Sequence, residues 1–198
     1  MERKKMNICI IMMADDDYNR IHGEFTKVFE KLQDVTIFYI HHSESNILRR
    51  IKSHNTDAII LSGSEKNILS KSGPTLPIGI LKLGLPILAL CYGYEWIVKK
   101  LGGKVATFED GNKHSYSKYL QLTKPFSVPK KRYAFCHHQY ISALPSSGQW
   151  EELHRNGDEI WIAQNSAHKW LCLQFHPEVY PSSAIAFYSR WITWLKEK

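Results

Sequence analysis

Short apolar runs alternate with helix-spaced segments through the first half of the chain. Asn7 to Ala14 (NICIIMMA) is continuously apolar and stops at the polar turn Asp15-Asp16-Asp17, so it reads as a buried strand. From His22 to Gln33 the apolar residues Phe25, Val28, Phe29 and Leu32 recur at helical spacing and predict a helix with one buried face. Val35 to Ile40 is β-branched and aromatic, which suits a second strand. Ser43 to Lys52 reads as a helix, with Ser43 as N-cap and Glu44 in the first turn, where the helix terminus favours an acid. Asp57–Leu61 and Pro86–Leu90 are two further buried strands. Glu95–Leu101 is a helix closed by Gly102-Gly103. This alternation predicts a mostly parallel sheet with helices on both faces.

The texture changes after Lys104. Strand-like runs follow at Lys104–Phe108, Tyr119–Leu122, Arg132–Phe135, Glu159–Ala163 and Trp170–Gln174, separated by turn residues. They read as antiparallel additions to the sheet edge rather than a second domain. Ser182 to Lys196 closes the chain as a helix, with Ser182 or Ser183 as cap and Ile185, Tyr188, Ile192 and Leu195 as its inner face. The expected organisation is one α/β domain over residues 1–198, with 1–6 a frayed terminus.

Composition narrows the function classes. A hydrophobic content of 43% supports a full core, and 23% charged residues is ordinary, so disorder is excluded. The net charge of +7 is dispersed, with Arg3-Lys4-Lys5 clustered at the extreme N-terminus. That pattern is a solvated basic surface, not a nucleic-acid face. The tryptophans Trp161, Trp170, Trp191 and Trp194 suit core or interface packing better than base stacking. Cys9, Cys91, Cys136 and Cys172 form no CxxC pair and follow no secretory segment, which points to free thiols and a cytoplasmic setting. No apolar run approaches the roughly 20 residues needed to cross a bilayer.

Against that background one cysteine stands out. Cys9 and Cys172 sit inside apolar strands, as small hydrophobes do. Cys91 instead ends a strand and opens a helix, with the small residues Ala89 and Gly93 two positions to either side. This is the pattern of a nucleophile elbow, which lifts a thiol to a helix N-terminus where thiolate is favoured. A base candidate follows another strand end, at Gln174-Phe175-His176-Pro177-Glu178. Pro177 prevents the ladder from continuing. His176 and Glu178, two apart, can point the same way, and a carboxylate there would fix the imidazole tautomer. Acyl chemistry at Cys91 needs N–H donors for an oxyanion. The N–H of Tyr92 is one, and the loop Ser62-Gly63-Ser64 after the third strand is the best source of a second. A metal site at His114, Cys136, His137 and His138 is disfavoured, because adjacent strand histidines face opposite ways, so no metal is expected.

The motifs ILSGS, PILALCYGYE and LQFHPEV, in this order, resemble those of class I glutamine amidotransferase domains. The resemblance runs from about Asn7 to the C-terminal helix and is strongest to GMP-synthase-like stand-alone members. Asp16–Leu32 (DDYNRIHGEFTKVFEKL) and Phe135–Pro145 (FCHHQYISALP) carry that second comparison. It implies a flavodoxin-like layer with an antiparallel edge and a Cys91, His176, Glu178 triad. It also implies hydrolysis of glutamine to glutamate and ammonia without cofactor, and delivery of the ammonia to a separate ATP-pyrophosphatase-type synthetase. Glu95 would help position substrate, and His137 and Gln139 would contact partner or substrate. The chain departs from the pattern at Ala89, usually glycine; at Glu95, usually glutamine; at Ser64 and Glu65, usually glycine and proline; and at Gln139, usually an aspartate that touches the synthetase. Two alternatives stay open: a γ-glutamyl peptidase or hydrolase using the same triad, and a non-catalytic binding protein on the same scaffold.

Overall fold

The computed structural model describes residues 5–197, so Arg3, Lys4 and most of the expected frayed terminus lie outside the described residues. Met6 is not frayed: it opens the first strand and pairs with Val35. The elements run β1 (Met6–Met12), α1 (Tyr18–Phe29), β2 (Val35–His41), α2 (Ile47–Ser53), β3 (Ala58–Leu61), a 3-10 turn (Ile78–Lys82), β4 (Ile87–Leu90), α3 (Tyr92–Lys100), β5 (Lys104–Thr107) and β6 (His114–Leu122). They continue with β7 (Val128–His137), β8 (Gln139–Ala143), β9 (Trp150–Asn156), β10 (Glu159–Asn165), β11 (Trp170–Leu173) and α4 (Pro181–Lys196).

Seven strands form the main sheet in the order β2-β1-β3-β4-β11-β10-β9. The first five are parallel; β10 and β9 add antiparallel at one edge. Of the runs expected as edge additions only Glu159–Ala163, in β10, joins there; β9 is an additional strand. β11 joins the parallel set beside β4, and β5–β8 and β6–β7 form separate two-stranded ribbons. The continuous apolar runs are explained by cover on both faces. Ile8, Ile10 and Met12 pack toward α1 and α4, whereas Cys9 and Ile11 pack toward α2 and α3. No helix among the described residues is long and apolar enough to cross a membrane.

α1 runs Tyr18–Phe29, four residues earlier than expected, α3 begins at Tyr92 rather than Glu95, and two expected caps are not formed, for polar reasons. Ser43 does not cap α2, which begins at Ile47; Ser43 Oγ instead sits 2.7 Å from His41 Nδ1, and Glu44 takes the His41 N–H and Arg50. Neither Ser182 nor Ser183 caps α4: Pro181 occupies its first turn, and Ser183 Oγ donates to the Arg132 carbonyl at 2.7 Å. The buried face of α4 is Ala184, Phe187, Tyr188, Trp191 and Ile192, so Ile185 and Leu195 sit at its margin.

The sheet order decides what meets. β4 lies between β3 and β11, all three parallel, so the segments that leave their carboxyl ends emerge side by side. Those segments are Ser62-Gly63-Ser64, Cys91-Tyr92 and Gln174–Glu178.

Candidate active site

Cys91 has φ 48° and ψ −108°, a left-handed backbone for a non-glycine residue. Such a conformation costs roughly 1–3 kcal/mol and persists only where its surroundings enforce it. Enforcement comes from both sides: the Cys91 N–H donates to the Leu173 carbonyl at 2.7 Å, and its carbonyl accepts the first α3 bond, from Glu95, at 3.0 Å. The helix must start close against β3. A Cβ on Gly93 would fall 2.7 Å from both the Leu61 carbonyl oxygen and Cβ, which is why glycine stands there.

The thiol is 3% exposed and points at the Cys136 carbonyl, 3.6 Å away. Burial raises its pKa, opposed by a hydrogen bond and the charge of the neighbouring His176. The His176 N–H donates to the Ala134 carbonyl at 2.8 Å, which pins this turn to β7. Its ring Nδ1 lies 2.8 Å from Glu178 Oε1. An Nδ1–H donor there leaves Nε2 for the thiol. Burial alone would lower the imidazole; the Glu178 carboxylate and the Cys91 sulfur outweigh it and hold the pKa well above the ordinary value. Glu178 itself is only 2% exposed, so its charge is poorly screened. The structure thus brings Cys91, His176 and Glu178 into one cluster. Burial pushes Cys9 up to about 12, consistent with an inert core thiol.

Gly63 lies directly against the imidazole: a Cβ there would fall 2.6 Å from His176 Cε1. Ser62 fixes the loop, accepting the Met13 N–H and donating to the Gly63 carbonyl, both at 2.8 Å. Gly63→Ala should therefore displace a ring that Glu178 also holds, lowering turnover about 100-fold with little change in melting temperature. Steady-state kinetics beside a thermal melt checks this, and unchanged turnover would refute the packing argument.

Glu95 sits one turn into α3, 2% exposed. Gln174 bridges it to the Cys91 thiol: Gln174 Nε2 is 3.1 Å from Glu95 Oε1 and 3.8 Å from Cys91 Sγ. Gln174 carries no reactive chemistry of its own, so only the strand pairing discloses its position. Burial raises the Glu95 pKa from 4.5 to about 7, against the Gln174 hydrogen bond and the His176 charge, which lower it. The folded state holds this proton where the unfolded chain has lost it. Stability therefore falls as pH rises from 4.5 through about 7, by about 3 kcal/mol in all. Glu95→Gln keeps the shape and the hydrogen bond without the charge. Its stability gain should be near zero at pH 4.5 and reach about 3 kcal/mol above pH 7 in urea denaturation. A gain independent of pH would contradict the assignment.

His137 and Gln139 are not brought to the thiol or the surface. They are 2% and 1% exposed. The His137 ring packs among Phe108, Tyr116 and Phe135 and bonds the Gln139 carbonyl at 2.7 Å. Burial lowers its pKa to about 4, so it is a neutral core residue, and contact with a partner through either side chain is not retained. The Tyr92 hydroxyl is likewise structural, donating to the Pro74 carbonyl at 2.8 Å. Beside His176 and Cys136 opens a cavity of about 560 Å³, whose wall includes Arg20, Lys113, Arg132 and Tyr180.

A family model described as glutamine amidotransferase class-I matches residues 15–191. The GMP synthase (glutamine-hydrolysing) of Borreliella burgdorferi is 35% identical over 136 residues, 67% of this chain and 26% of that protein. The Geobacillus kaustophilus GMP synthase is 26% identical over 88% of this chain and 34% of its own length. This chain thus spans only about a quarter to a third of these relatives. Among solved structures, a putative GMP synthase subunit from Thermoplasma acidophilum superposes with TM-score 0.73 at 17% identity, covering 98% of this chain and 96% of that one. PurLQS from Thermotoga maritima gives TM-score 0.64 at 13% identity, covering 97% and 100%.

Proposed function

The chain belongs to the class I glutamine amidotransferase family, and from that premise we propose that it hydrolyses the side-chain amide of glutamine, with Cys91 as nucleophile, His176 as proton carrier and Glu178 as orienter. The observation that carries this reading is the contact of His176 with Glu178 at 2.8 Å and with the strained Cys91 turn.

The Cys91 thiol first leaves the Cys136 carbonyl by rotation about χ1 and passes its proton to His176. The sulfur attacks the side-chain carbonyl carbon of glutamine. The oxyanion is held by the Tyr92 N–H and an N–H of the Gly63-Ser64 segment. His176 then gives its proton to the departing nitrogen, so ammonia leaves and a thioester remains. Water, deprotonated by His176, attacks the thioester. Glutamate departs, and the proton returns to sulfur. Glu178 keeps the ring in one tautomer throughout. None of these steps calls for a metal or organic cofactor.

The ammonia goes to a synthetase acceptor, in this reading one of the GMP synthase kind; the names of the relatives motivate that choice. The test is glutamate release from glutamine by the purified chain, alone and with an ATP-pyrophosphatase-type synthetase, together with covalent capture of Cys91 by diazo-oxo-norleucine. Absence of both glutamate and label would leave the binding-protein reading in its place.

A second reading is favoured by the cavity. At about 560 Å³, with Lys113 and Arg132 in its wall and Arg20 held there by Asp17 and Glu24, it suits a substrate with more than one carboxylate, such as a γ-glutamyl peptide. Higher kcat/KM for γ-glutamyl peptides than for glutamine would select it.

A further inference from the structure

Away from Cys91, the carboxyl ends of β1 and β2 gather a second set of side chains. Asp15 follows β1, His41 ends β2, and His42 begins the turn after it. The strand ends at His41 and turns, with the Glu44 N–H on the His41 carbonyl at 3.0 Å, so the two neighbouring rings are no longer sent to opposite faces. Both reach one carboxylate oxygen. Asp15 Oδ1 lies 2.8 Å from His42 Nε2 and 3.3 Å from His41 Nε2. All three atoms lie within 4.8 Å of one another, the one such grouping among the described residues.

We propose that Asp15, His41 and His42 bind a divalent transition-metal ion of the zinc class, through two imidazole Nε2 atoms and one carboxylate oxygen, with a fourth position open to water. Ligands about 2.0–2.1 Å from a tetrahedral zinc stand about 3.3 Å apart. The Asp15–His41 pair already has that spacing, and the Asp15–His42 pair must open by about 0.5 Å. Imidazole with carboxylate favours zinc and its neighbours over magnesium or calcium. The supporting partner is present too. Ser43 Oγ, 2.7 Å from His41 Nδ1, can accept the Nδ1–H and turn the Nε2 lone pair toward Asp15. In the other tautomer the same Nε2 donates to the Ala14 carbonyl at 3.2 Å and Nδ1 accepts the Ser43 N–H at 3.4 Å, so the ion must draw the ring out of that form into the Nδ1–H form. Solvent reaches the site, with Asp15 41%, His41 28% and His42 13% exposed.

The ion would join two strand ends to the loop beside Cys91. The Asp15 and Asp16 N–H groups both donate to Glu65 Oε1 at 3.4 Å, and Glu65 directly follows Gly63-Ser64. Binding at Asp15 would therefore brace that loop. Occupancy does not depend on the hydrolytic reading and is measured without turnover.

The test is equilibrium dialysis of Cys91→Ala protein against Zn2+, with metal counted by mass spectrometry; the alanine removes the competing site thiol. One ion per chain is expected, with affinity at least tenfold weaker in added His42→Ala or Asp15→Asn. His168→Ala, a ring stacked on Trp170 elsewhere, should bind as tightly as its parent. Imidazole 15N shifts of the protein with His41 and His42 intact should move to the Nδ1–H form on zinc addition, which tests the site even where a variant unfolds. Undiminished affinity in both variants, or no saturable binding and no tautomer change, overturns the proposal.

Discussion

Replacing Cys91 by alanine should reduce glutamate release to the uncatalysed background, a loss of at least about 10⁴-fold, with the fold retained. The chemistry has no substitute nucleophile nearby. Gln174 cannot attack, and the other thiol of the cavity, Cys136, sits inside β7 with neither a strand-to-helix turn nor a helix N-terminus behind it. The fold should survive because the β4–α3 junction is set by backbone bonds at Cys91 and the close approach of Gly93, not by sulfur. Serine should be nearly as inactive, since its hydroxyl ionises far less readily than a thiol held beside His176. A coupled glutamate assay with a thermal melt reads both expectations. Turnover surviving in the alanine protein would remove Cys91 from the mechanism.

The second large effect is expected at Glu178. Burial by itself depresses His176, and the carboxylate reverses that. Glu178→Gln removes the counter-charge and offers an amide N–H to Nδ1, which favours the wrong tautomer. Turnover should fall about 10³-fold, by the logic of triad orienters. The pH at which the ring loses its proton should drop as well, shifting the rate profile toward acid. Stability gives an independent reading. A raised histidine pKa contributes stability that is fully present below about 6.5 and is lost as pH rises through the folded value. The variant should therefore be destabilised more at pH 6 than at pH 9, as followed by denaturant midpoints. Equal destabilisation at both pH values would mean that Glu178 is packing rather than charge.

The residues proposed to carry the chemistry were legible as a cluster because their constraints are local. A strand that ends in a cysteine between small residues, and a His-Pro-Glu turn at another strand end, each carry their meaning within a few positions. The β1–α1–β2 and β3–β4–α3 order was legible for the same reason, since helical and strand periodicities are short-range. The strands after Lys104 were not. β8 and β9 went unread because the sequences QYISA (Gln139–Ala143) and WEELHRN (Trp150–Asn156) have no clean apolar–polar alternation, and the alternate burial of β8 appears only in the folded chain. The assignment of β5–β8 and β6–β7 to separate ribbons depends on pairings across the chain, which no window of sequence contains.

By itself the sequence determined the α/β class, the elbow at Cys91 and the pairing of His176 with Glu178, because backbone sterics and nearest-neighbour geometry decide those. Only the tertiary structure decided that β11 lies against β4. That contact sets Gln174 between Glu95 and the thiol and presses Gly63 onto the imidazole, while the β6–β7 and β5–β8 pairings enclose His137 and Gln139. The physical reason is range: burial and charge–charge coupling depend on residues more than 80 positions apart, such as Cys91 and Gln174, that meet only when the sheet closes.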